Sequence, residues 1–589
     1  MGHHITDCPH SSLNQWALDF RAHPKSKTMS ASLWVIMITK ERGASLRVRP
    51  ELEIPGCGCL DHLLRGDTLL TSAVTNDILC DVGMSVVHKD ANCNCRVTTV
   101  PFGDAVLSTY GTYVGIQLFG ELFTPASLYS DMGLDDVEIS TNSSGSHHEL
   151  RKLYTRIDLI KEGTEKFAGI YLYENQQGCV GDRFDDDGCA MIAVNGKIIP
   201  QGSQSSLNDL EVTTAAIDID EMKPYTKRGS RIQKAAGSRE PEVSENRGPD
   251  RCVPTGYEHV GPWQPYEIRY HLPEEEIGLG PACWLWDYLR RFRIQGCFVS
   301  LSGGIHSCST SMIVYTAGHG DKQVIVRAPR ILWEPDNPSY NTSHPVEFCK
   351  RIFPTCMEIR KRARDPAVPN LFGLVTDIKL QFKVHGGSLH MVLACMFARL
   401  MPFVRGRAGR LVVRGSANVD ESLRGYLTMY DCSSADINTI GAISNTDLKE
   451  FRRYAQIAFD LPILESFLDA APSAELEPIT ETYLRNVEHL SPYMVYMNLM
   501  REWGDHFSPT RIAEKVKLFF VEQARNRHGM NSLTPSHHAE SYSPDDNRFD
   551  LGPFVYPSRF PFQFTKIDKT AAKLLDRSAN PGPEKAKVE

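Results

Sequence analysis

The residues with the clearest chemical potential form one short run, Ser302-Gly303-Gly304-Ile305-His306-Ser307. It follows an apolar stretch, 297–301, that reads as a strand, and it opens 307–315, which reads as a helix. At such a junction the free N–H groups of the helix start, together with the helix dipole, can hold a phosphate chain, and glycine lets that chain approach the backbone. A Ser-Gly-Gly turn on its own is a weak signal, because many strand-to-helix turns use one structurally. Strand, glycine-rich turn and helix is nonetheless the arrangement of an α/β nucleotide-binding fold.

The elements that would position this turn divide the chain into parts. Short β-type runs at 105–109, 137–140, 169–173, 190–194 and 211–217 alternate with turns and helical stretches, so the first 220 or so residues read as a mixed α/β domain. From 227 to about 262 the periodicity fails and Lys, Arg, Glu, Ser, Gly and Pro dominate, as in a solvated connector. Pro273-Glu274-Glu275-Glu276 then opens a helix in which Ala282, Trp284, Leu285, Tyr288 and Leu289 fall near helical spacing. Proline recurs between 322 and 369, predicting little regular structure there, and helices are expected over 389–404, 447–468 and 509–523. The domains are therefore 1–226, 227–262 as linker, 263–576, and a fraying tail over 577–589.

Composition narrows the function classes. The chain has 589 residues, of which 41% are hydrophobic and 23% charged, so it is globular rather than fibrous or disordered. A net charge of −8 argues against a general nucleic-acid binder. The apolar run 33–38 is too short to span a bilayer and the first residues lack a signal-peptide pattern, so a cytoplasmic protein with no membrane segment is expected. The close cysteine pairs Cys57/Cys59 and Cys93/Cys95 have one intervening residue, unlike zinc sites, and read as reduced thiols. Two glycosylation-type triplets, at Asn142 and Asn341, read as accidental.

The run 301–307 resembles the pyrophosphate loop of N-type ATP pyrophosphatases, and its flanks resemble the eukaryotic glutamine-dependent NAD synthetase family. That likeness continues through 415–422 (GSANVDES), 425–428 (GYLT), 430–438 (YDCSSADIN) and 543–550 (SPDDNRFD). The runs 13–19, 50–54 (PELEI), 142–148 (NSSGSHH) and 181–183 are similar to the family's nitrilase-type glutaminase domain. The resemblance implies a nitrilase-like α-β-β-α sandwich followed by a Rossmann-like parallel sheet. It also implies a two-part enzyme, one part releasing ammonia from glutamine and the other adenylating deamido-NAD with ATP before ammonia attacks to give NAD. On this likeness Ser300, Leu301, Ser302, Gly303, Gly304, Ile305, His306 and Ser307 would hold ATP, with Ser302 also catalytic. Thr428 would lie near the nucleotide, Glu421 would hold Mg²⁺, and Asp436 would seat the dinucleotide. Glu421 and Asp436 otherwise read as solvated surface carboxylates. Relatives of this kind form homo-oligomers, so the same is implied here.

The chain departs from the family where the chemistry should be. Glutaminase action needs a Cys nucleophile, a Glu base and a supporting Lys. Glu51 matches the base, but Phe119 stands in the place of the cysteine, and the lysine-bearing segment is missing after Arg96. Lys89, the nearest lysine, matches an upstream position. His306 replaces the aspartate of the ATP loop, and imidazole is a poor ligand for Mg²⁺, which weakens the metal expectation. Met429, Thr439 and Asn445 stand where relatives carry Lys, Pro and Lys, and His385-Gly386-Gly387-Ser388 runs straight into Leu389 where a Gln-rich helix is expected. Two readings follow: a ligase that lacks glutamine hydrolysis and has an impaired synthetase half, or a non-catalytic paralogue that binds nucleotide or joins oligomers of an active relative.

Overall fold

The computed structural model describes residues 35, 37–39, 41, 42, 44, 46–51, 105–109, 112–125, 128–135, 137–179, 183–208, 210–217, 219, 242–245, 267–292, 294, 296–299, 305–319, 386–404, 409–423, 434–461, 490–526, 533–540 and 559–579. The chain divides into two compact units, residues 1–272 with 286–292, and residues 273–285 with 293–589.

In the first unit, strands β1 (Ala105–Thr109), β2 (Thr112–Leu118), β3 (Ile139–Ser144), β4 (Ile170–Asn175), β7 (Met191–Val194), β8 (Lys197–Gln201) and β9 (Glu242–Glu245) form one sheet in the order β8-β7-β4-β3-β2-β1-β9. Its centre, β2-β3-β4, is parallel, and β7 and β8 add antiparallel strands at one side. Strands β5 (Gln177–Cys179) and β6 (Asp185–Asp187) make a separate antiparallel ribbon. Alternation sorts the side chains: Tyr171, Tyr173, Met191 and Ala193 face one core, while Ile170, Leu172, Ile192 and Val194 face another. Helix α1 (Leu128–Leu134) and helix α2 (Lys152–Phe167) follow β2 and β3 in the chain. Leu153, Ile157 and Ile160 of α2 recur at helical spacing and pack on the Tyr171–Tyr173 face. Asn195 and Gly196, with φ of 47° and 79°, turn β7 into β8 in the left-handed region that an Asn-Gly hairpin favours.

In the second unit, α3 (Pro273–Arg291) begins with three glutamates in its first turn, which suits the helix dipole, and the division between units falls within it. Strands β10 (Cys297–Val299), β11 (Val412–Gly415) and β12 (Ile437–Asn438) form a parallel sheet in that order. Helix α4 (Ile305–His319) follows β10, helix α5 (Gly386–Val404) precedes β11, and helix α6 (Val419–Leu423) follows it. Phe298 and Val413 meet Met391, Ala394, Ala398 and Met401 of α5. Helix α7 (Asn445–Ala458) is capped by the Ser444 hydroxyl, which accepts from the Asp447 N–H at 3.0 Å. Helices α8 (Pro492–Trp503), α9 (Pro509–Asn526) and α10 (Pro561–Ala579) share a core of Val495, Tyr496, Leu499, Ile512, Val516, Phe520 and Ile567. No described helix is long and apolar enough to cross a membrane.

Several expectations shift. Residues 210–217 form no strand ladder; Ile217 packs against the sheet as part of an irregular segment. The stretch expected as a connector supplies β9, which pairs in parallel with β1. Helix α7 stops at Ala458 rather than 468, where Asp460 takes a φ of 52°. Helix α10 runs to Ala579, into the expected tail, and the Gly386-Gly387 junction is the first turn of α5. Asn142 is fully buried within β3, which leaves its glycosylation triplet inaccessible.

Candidate active sites

In the first unit the C-terminal ends of the parallel strands β2, β3 and β4 bring together Phe119, Ser144 and Asn175, the edge at which open α/β sheets form their sites. The base expected from sequence is there: the Glu51 N–H donates to the Ser144 carbonyl at 3.3 Å. Burial pushes its carboxyl up, and a hydrogen bond from the Gly145 backbone opposes this. A glutamate so raised suits proton transfer. Phe119 begins a short 3₁₀ turn, Phe119–Phe123, and meets the Phe123 ring edge-on at 6.4 Å. A phenyl ring offers no nucleophile.

Around this edge lies a polar network that the sequence reading missed. Arg156 of α2 reaches the Asp187 Oδ1 at 3.0 Å and the Ser146 hydroxyl at 3.1 Å, with both ionised side chains fully buried. Asn175 accepts from the Ser146 N–H at 2.7 Å, and its amide donates to Asp187 and to the Gly188 carbonyl, each at 3.0 Å. Gln204 donates to the second Asp187 oxygen at 3.1 Å. Both Asp187 oxygens thus have partners, and its neighbours feel it. Burial first, then the Asp187 charge, pushes the Asp186 carboxyl up to about 7. Asp185 is raised as well, by burial and by nearby carboxylates. Lys152 donates to the His147 carbonyl at 3.2 Å, and burial lowers its ammonium from the usual lysine range. Three consecutive aspartates in a short strand between Arg183 and Gly188 were the available signal, since carboxylates are rarely buried without partners.

In the second unit the carboxyl ends of β10 and β11 lead to the starts of α4 and α6. His306 lies in the first turn of α4, half-buried, and Asp420 and Glu421 lie in the first turn of α6. The His306 Nε2 sits 2.7 Å from the Asn445 Oδ1, and its Nδ1 sits 3.6 Å from the Glu421 Oε1. The Asn445 N–H and the Asn418 amide both donate to the Asp420 Oδ2, at 2.9 and 3.0 Å. Asp436 accepts from the Val413 N–H at 2.9 Å, which ties its exposed carboxylate to β11. The buried Arg414 of β11 donates to the Thr439 hydroxyl. The structure therefore brings His306, Glu421 and Asn445 together. Ile305 and Ser307 are buried in the same turn, whereas Ser300, Leu301, Ser302, Gly303, Gly304 and Thr428 lie outside the described residues, as do Lys89, Cys57 and Cys59.

Mg²⁺ takes oxygen ligands in near-octahedral order, with adjacent ligand atoms about 2.9 Å apart at its usual bond lengths. An imidazole nitrogen 3.6 Å from a carboxylate oxygen matches neither the donor type nor the spacing. The pair does not fit that ion.

Comparison with known proteins places both units. Residues 95–227 match the carbon-nitrogen hydrolase family and residues 282–485 the NAD synthase family. The chain is 41% identical to the glutamine-dependent NAD(+) synthetase of Saccharomyces cerevisiae, over 96% of this chain and 97% of that protein. It is 40% identical to the Homo sapiens protein of the same name, over 96% and 97%. The yeast match runs over 711 aligned positions against the 589 residues here, so the relative carries stretches that this chain lacks. The crystal structure of a glutamine-dependent NAD(+) synthetase from Cytophaga hutchinsonii shares the fold, with a TM-score of 0.64 at 18% identity, covering 92% of this chain and 96% of that one. The nitrilase-like and NAD-synthase fold classes read from sequence hold.

Proposed function

The chain belongs to the glutamine-dependent NAD(+) synthetase family, and we propose that its second unit carries the family's ligase reaction while its first unit no longer hydrolyses glutamine. The reaction is the ATP-dependent amidation of deamido-NAD to NAD. The nicotinate carboxylate attacks the α-phosphorus of ATP, pyrophosphate departs, and ammonia then displaces AMP from the acyl-adenylate. Activation is needed because a carboxylate is a poor acyl donor, whereas its adenylate has a good leaving group.

In this reading residues 300–307 cradle the phosphates. N–H groups at the start of α4 face the departing pyrophosphate, as helix N-termini commonly do. Ser302 and Thr428 contact the nucleotide, and Asp436, held by the Val413 N–H, helps to seat the dinucleotide. Ammonia comes from solution, because Phe119 stands where the family places its thiol and no lysine matches the supporting position.

The observation that carries the proposal is the near-full-length match to synthetases, joined to strand β10, which pairs in parallel with β11, and helix α4, which flank residues 300–304. The decisive assay supplies purified protein with deamido-NAD, ATP, a divalent cation and either glutamine or ammonium, and follows NAD. NAD from ammonium alone is expected. NAD from glutamine at a comparable rate would overturn the claim about the first unit, and ATP binding without NAD under any condition would favour the non-catalytic paralogue.

A further inference from the structure

His306 and Asn445 lie 139 residues apart in sequence yet touch in the fold. Their contact fixes the imidazole. With the Asn445 Oδ1 as acceptor, the His306 Nε2 carries the proton and donates it at 2.7 Å. In the neutral ring the Nδ1 then carries the lone pair, and it is the atom that faces Glu421. At 3.6 Å the Nδ1 and the Glu421 Oε1 are too far apart for a hydrogen bond. Two ligands bound at ~2.1 Å to one ion would stand at that separation when the angle at the ion is roughly 118°, close to four-coordinate geometry.

The surroundings agree. A metal-ligating histidine commonly donates its second ring N–H to a carbonyl or carboxylate, which fixes the tautomer and raises ligand basicity. The Asn445 amide oxygen supplies that partner. Asn445 is itself held by its backbone N–H donating to the Asp420 Oδ2 at 2.9 Å, and Asp420 is fixed by Asn418 at 3.0 Å. Both candidate ligand side chains are about one-fifth exposed, which leaves a path for an ion and for further ligands from solvent or a phosphate.

We propose that His306 Nδ1 and Glu421 Oε1 form a site for a borderline divalent cation of the Zn²⁺ or Co²⁺ class, at the first turns of α4 and α6, where the pair does not fit Mg²⁺. Imidazole with carboxylate suits such ions and disfavours Mg²⁺. The inference rests on the synthetase reading only for what the ion would serve.

The test uses the full chain, stripped of metal by a chelator and titrated with Co²⁺ alone. A visible Co²⁺ absorption that depends on His306 is expected, displaced by Zn²⁺ and resisting at least a tenfold excess of Mg²⁺. His306→Ala should abolish it. Asn445→Ala should weaken Co²⁺ binding about 10- to 100-fold, the usual range for loss of such an outer partner. His306→Asp should remove the nitrogen-ligand signature and bring Mg²⁺ within tenfold of Co²⁺. Diethyl pyrocarbonate modification of His306 in the unmutated protein, mapped by mass, should be blocked by Zn²⁺ and unaffected by Mg²⁺, which covers the case of variants that do not fold. A Co²⁺ signal unchanged by His306→Ala, no Co²⁺ binding, or equal protection of His306 by both ions would overturn the proposal. NAD formation is read separately, so a failed ligase assay bears on the proposed function and leaves the metal result standing.

Discussion

The two candidate sites are built in different ways. At the ends of β2, β3 and β4, Asn175, Ser146, Arg156, Asp187 and Gln204 are joined in one buried network. Beside it, at the end of β2, stands the Phe119 ring. At the ends of β10 and β11 the contacts are pairwise: His306 bonds Asn445, and Thr439 accepts from Arg414. On the proposed function, the first unit would keep its polar scaffold without glutamine chemistry, whereas the second would keep its hydrogen bonding around an altered ion preference. Removing one partner from such a buried network strands a charge, whatever reaction the site supports.

The sharpest way to break this contrast is to look for glutamine turnover. Removing a nucleophile lowers rates by roughly 10⁶-fold in a well-studied hydrolase, so glutamate release should not exceed the solvent background. Phe119→Cys alone should leave it there, because the lysine is still missing; release measured with that variant would show that the scaffold had kept more than its shape. The next largest effect concerns the network itself. Arg156→Ala leaves Asp187 buried without its cation and should destabilise the first unit by about 3–5 kcal/mol in denaturant unfolding. A change below ~1 kcal/mol would show that the pair contributes little.

A pH scan sharpens the same point. The Asp186 carboxyl is raised in the folded chain from 3.8 to about 7, so the folded state favours its neutral form. Its contribution is fully present below the unfolded value and is lost as pH rises from about 4 to about 7, at most about 4 kcal/mol over that window. Asp186→Asn should flatten this slope and raise stability at pH 8, measured by thermal unfolding at each pH. The smallest effect lies beside the second site. Ser444→Ala removes the cap of α7 and should cost about 1 kcal/mol, with a slight loosening of Asn445 against His306 read in the Co²⁺ titration.

Local features were legible in the sequence because local rules set them. The burial of Ala282, Trp284, Leu285 and Leu289 follows from helical spacing, and β10 with α4 follows from an apolar run broken by glycine. Glu51 and Phe119 were identified from flanking residues, and both fall at the strand ends. The failures are non-local. Residues 211–217 alternate like a strand yet join no ladder among the described residues, and β9 pairs with β1 from within a polar stretch whose composition predicts solvent. Pairing between distant segments depends on what the rest of the chain leaves open. The Arg156–Asp187 pair and the His306–Asn445 contact were hidden for the same reason: each residue is unremarkable until the fold brings its partner to it.

The sheet of the second unit has β12 at one border, and that border is occupied. Asn438 donates its N–H to the Pro535 carbonyl at 2.9 Å and accepts from the His537 N–H at 3.0 Å, so a late segment lies alongside as a parallel bridge. A product ending before residue 533 would leave those backbone groups unanswered, and unanswered strand borders recruit neighbouring molecules. Premature termination in this chain should therefore be felt as self-association, with the nucleotide half precipitating through a seam that the intact polypeptide closes for itself.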